Sequence, residues 1–64
     1  MNEEEAKTVI GFFGCTGDYY YEIIMFSQFI KKFPEWKDLA IKELRQIGFS
    51  EEGIIKIVKG EIDE

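Results

Sequence analysis

Apolar residues recur along this chain at the three- and four-residue spacing of helices, in four stretches separated by turn chemistry. From Glu3 to Phe13, the residues Ala6, Val9, Ile10 and Phe13 fall on one side of a helix, and three glutamates stand in its first turn, where the helix dipole favours them. Gly11 and Gly14 weaken its C-terminal half, and Gly14-Cys15-Thr16-Gly17-Asp18 predicts a loop. Asp18 is placed to cap a second helix, with Glu22 in its first turn. That helix runs from Tyr19 to about Phe33, because the residue before Pro34 is disfavoured in helical backbone. Its core stripe is Tyr19, Ile23, Phe26, Ile30 and Phe33, widened by Phe29 and Met25.

Pro34 is pre-set for the first turn of a third helix. This helix places Trp36, Ala40, Leu44 and Ile47 on one side, flanked by Leu39 and Ile41, and Lys37, Asp38, Lys42, Arg45 and Gln46 on the other. Gly48 ends it as a left-handed cap. Ser50 caps a fourth helix whose Glu51 and Glu52 suit its positive end; Ile54, Ile55, Val58 and Ile62 are expected to face inward, with Ile57 at the edge. The expectation is a single all-α domain over residues 1–64, a small bundle of three main helices plus a short N-terminal helix.

The second helix owns more apolar surface than one core face needs. Tyr20 and Ile24 fall beside Ser27 and Lys31, off the main stripe, and Tyr21 lies toward the far side beside Gln28 and Lys32. Either the first helix wraps over them, which is the simpler arrangement, or they stay exposed as a contact patch. Tyrosine suits the second role, since it joins a rigid apolar body to a polar tip.

Composition narrows the field. With 64 residues there is one small core, and with 45% hydrophobic and 16% aromatic residues there is enough apolar material to build it. One cysteine allows no internal bridge, and the absence of histidine removes the usual metal ligand and the usual acid–base group near neutral pH. The acidic start MNEEEAK is unlike a targeting segment, no apolar run approaches a membrane span, and a cytoplasmic protein with a reduced thiol is expected. The net charge of -5 is concentrated in Glu3, Glu4, Glu5, Glu61, Asp63 and Glu64, so the body between them is nearly neutral and the acidic ends act as solubilising caps.

Catalytic patterns are missing. The glycine-containing loop lacks the lysine and hydroxyl residue of a phosphate cradle, since Gly17 is followed by Asp18 and tyrosines. Cys15 has no histidine to activate it and is expected to be a small half-buried thiol. The paired acids, such as Glu51 with Glu52, read as a solvated face. No enzymatic activity, metal or cofactor is expected.

The spacing around Gly48 resembles a helix-turn-helix: Leu44 lies four residues before the glycine, where alanine is common, Phe49 follows it, and Ile54 and Ile57 stand six and nine residues after. That resemblance implies a second helix in the DNA major groove, with Ser50, Glu51, Glu52 and Gly53 at the base edges and Lys37, Lys42, Arg45, Lys56 and Lys59 near the phosphates. Carboxylates would then stand where phosphates crowd, so nucleic acid is not the expected partner. Phe33-Pro34 and Ile57-Val58 resemble the gripping residues of a CUE-type ubiquitin-binding module, with Lys32 where methionine is usual. This resemblance implies capture of a small hydrophobic patch on another protein.

The expected function is that of a small acidic regulator or inhibitor that binds another protein through Tyr20, Tyr21 and Ile24, with Met25 as an adaptable filler at the margin. A homodimer through the same surface is an alternative. The rival class is a DNA-binding protein using Lys42, Arg45, Lys56 and Lys59.

Overall fold

A computed structural model of the chain, describing residues 1–60, has four α-helices and, among the described residues, no strand. They are α1 (Glu3–Phe13), α2 (Tyr19–Lys32), α3 (Lys37–Ile47) and α4 (Glu51–Lys59), with a 3-10 turn, Pro34–Trp36, between α2 and α3. The principal extents are 30 × 22 × 19 Å. The N-terminal helix is not the minor element the pattern predicts: with 11 residues it equals α3 and exceeds the 9 of α4. Its start owes this to Asn2, whose side chain accepts from the Glu5 N–H while the Glu5 carboxylate accepts from the Asn2 N–H, satisfying two end groups reciprocally.

Caps set the other boundaries. Asp18 Oδ1 accepts from the Tyr21 N–H at 3.1 Å, and Ser50 Oγ accepts from the Gly53 N–H at 3.1 Å. Gly48 closes α3 with φ 116°, its N–H shared between the carbonyls of Leu44 and Arg45, and the Phe49 N–H returns to Leu44 at 3.1 Å. A Cβ at Gly48 would meet nothing within 4 Å, so the obstacle to a side chain is the backbone angle alone. Gly48→Ala is therefore expected to cost about 1–2 kcal/mol, as left-handed backbone costs an L-residue, and urea denaturation would measure it.

The core gathers Ala6, Ile10 and Phe13 from α1, Phe26, Phe29 and Ile30 from α2, Ala40 and Leu44 from α3, Phe49 from the corner, and Ile54 and Ile57 from α4. Phe13 meets Phe26 and Phe29 edge-on, with ring centroids 5.6 and 5.9 Å away, an arrangement the ring quadrupoles favour. The helices α2 and α4 lie side by side in the same direction. Tyr19 stacks on Phe49 at 5.0 Å at one end, and the Lys31 stem crosses Gly60 at the other. The only tryptophan, Trp36, is half-buried in the 3-10 turn between α2 and α3, and its Nε1 is buried with no hydrogen-bond partner among the described residues.

Four expectations need correction. Ile55 is 51% exposed, and Ile57, assigned to the edge, is buried instead. Ile62, also expected to face inward, lies outside the described residues. Tyr19 is exposed rather than core: it opens α2 and stacks on Phe49 with most of its surface in solvent. Cys15 is exposed on the loop rather than half-buried. Finally, the start of the third helical stretch is a 3-10 turn, not α-helix.

Candidate functional site

The loop from Gly14 to Asp18 sets the phase of α2. Thr16 Oγ1 accepts from the Asp18 N–H at 3.2 Å and donates to Glu22 Oε2 at 3.3 Å, so one hydroxyl ties the cap residue to the first turn. Glu22 is only 5% exposed, which the sequence reading missed by placing it as an ordinary first-turn acid. It belongs to the face that looks at α1, one turn before Phe26 and two before Phe29. With that face turned inward, the opposite one is committed to solvent.

Tyr20, 73% exposed, Ile24, 44%, and Tyr21, 38%, occupy it. The simpler expectation, that the first helix wraps over them, is not met, and the reason is geometric. Val9 and Phe13 of α1 share a groove with Met25 and Phe29, on one flank of the α2 core stripe. Ile24 and Tyr20 stand about 160° and 120° around the helix from Phe26, out of α1's reach. Met25 is half-buried, at the margin between core and patch.

The groove between α1 and α2 encloses about 200 Å³ and is lined mainly by Met1, Val9, Phe13, Met25, Phe29 and Phe33, with Gln28 and Lys32 as its polar edge. Phe12 lies one turn on from Val9, and Tyr21 lies one turn back from Met25. Both therefore prolong this apolar seam toward the loop. Phe12 is 69% exposed and was not singled out in the sequence, although a large aromatic residue off the Ala6–Ile10–Phe13 stripe was the available signal. The exposed large side chains of α1 and α2 include Phe12, Tyr20, Tyr21 and Ile24.

The Gly48 corner has different chemistry. Arg45 grips Glu51 with two parallel hydrogen bonds, Nε to Oε2 at 2.8 Å and Nη2 to Oε1 at 3.0 Å. The only arginine of the chain is thus committed to a carboxylate at the start of the helix that would read DNA. Lys42 faces out of α3 near Lys7, Glu43 and Gln46, while Lys56 and Lys59 stand exposed in the last turn of α4. Along the sequence, Glu43, Glu51 and Glu52 alternate with Lys42, Arg45, Lys56 and Lys59. Of the four residues in the CUE-like resemblance, Ile57 is buried in the core and Phe33 and Val58 are half-buried.

Hydrogen bonding from Arg45 holds the Glu51 carboxyl below the usual carboxylate range, against the opposing effect of desolvation and with a lesser contribution from the guanidinium charge. Since the folded value is the lower one, the stabilisation from this pair is present above the unfolded-state carboxylate range and lost as pH falls through the folded value. The pair is fully exposed, so its contribution is small. In Arg45→Ala, an NMR titration is expected to find the Glu51 carboxyl returned to its ordinary range.

Comparison of the chain with protein-family models, with curated proteins and with solved structures finds no match in any of the three. Among the described residues no helix is long and apolar enough to cross a membrane.

Proposed function

We propose that this chain is a small acidic regulator or inhibitor that acts in the cytoplasm by binding a protein through the outer face of α2. Tyr20, Tyr21 and Ile24 form the contact set, with Met25 at its margin and Phe12 extending it. The observation that carries the reading is the exposure of three large side chains on the face of α2 turned away from Phe26, in a chain without a catalytic constellation. A Tyr-led patch of this kind supplies rigid anchors, and loss of one well-packed anchor typically removes about 2 kcal/mol or more of binding.

The test compares the wild type with Tyr20→Ala/Ile24→Ala. Both side chains lie outside the core, so circular dichroism and the melting temperature are expected to stay near wild type while affinity for the partner drops about thirtyfold or more. An unfolded double mutant would mean that the patch is structural. DNA binding through the Gly48 corner is the rival class, and salt-sensitive retention on heparin and on a DNA duplex would favour it.

A further inference from the structure

We draw no further inference here: the strongest candidate, the apolar groove of about 200 Å³ between α1 and α2 lined mainly by Val9, Phe13, Met25, Phe29 and Phe33, carries none because nothing in the structure shows what covers it.

Discussion

Phe26→Ala is expected to remove about 3–5 kcal/mol of stability, the cost of deleting a buried aromatic ring and leaving a cavity. Phe26 is fully buried, and Phe13 meets it edge-on from α1, so the substitution removes one of the two edge-on ring contacts, Phe13–Phe26 and Phe13–Phe29, between the first two helices. A chain of this length holds roughly 3–10 kcal/mol in all. Thermal melting followed by circular dichroism is expected to fall by about 15 °C or more, or to lose its cooperative transition. Tyr20→Ala, on the same helix but facing water, is expected to move stability by less than about 0.5 kcal/mol. The contrast separates the two faces of α2, and equal losses at both positions would contradict the arrangement.

Leu44→Ala carries the second large effect, about 3–4 kcal/mol in the range found for buried leucine truncations. Leu44 is fully buried next to Ala40, whose small side chain lets α3 approach its neighbours closely. Its carbonyl receives the N–H groups of Gly48 and Phe49, and alanine keeps those bonds. The loss is therefore a packing loss alone. It is expected as a lower urea midpoint with an unchanged slope, since the surface exposed on unfolding barely changes. A loss no larger than that of Gly48→Ala would mean that the corner is held by its backbone more than by its core.

The boundaries of the bundle were legible because they depend on local chemistry. Asp18, Ser50 and Gly48 each act within a few residues of themselves, and each stands where the sequence puts it. Asn2 was as local but passed unnoticed beside three glutamates, of which Glu5 completes its capping box. Which flank of a helix is covered is a tertiary matter that periodicity does not report. Ile54, Ile55, Ile57 and Val58 spread over about 160° of α4, wider than the part of it that is covered, and the positions of α2 and α3 choose Ile57 over Ile55.

The candidate surface shows the same division. Periodicity separated Tyr20, Tyr21 and Ile24 from the core stripe of α2, but whether α1 reached them turned on which flank its Val9 and Phe13 occupy. Glu22 could not be placed from sequence, since a carboxylate on an inward face is intelligible only once the Thr16 hydroxyl is seen beside it. Phe12 lies off the Ala6–Ile10–Phe13 stripe of α1, and its exposure follows from which flank of that helix the bundle leaves open.

Trp36 gives the molecule an internal optical gauge. Being the single indole, half-covered at the junction of α2 and α3, it dominates the near-ultraviolet emission and shifts to the red when the bundle opens. It stands on the 3-10 turn after α2, at the other end of that helix from the tyrosines at its start, so occupancy of the tyrosine face is expected to leave its emission unchanged. One fluorescence trace can therefore tell a variant that has lost its fold from one that has lost only its companion.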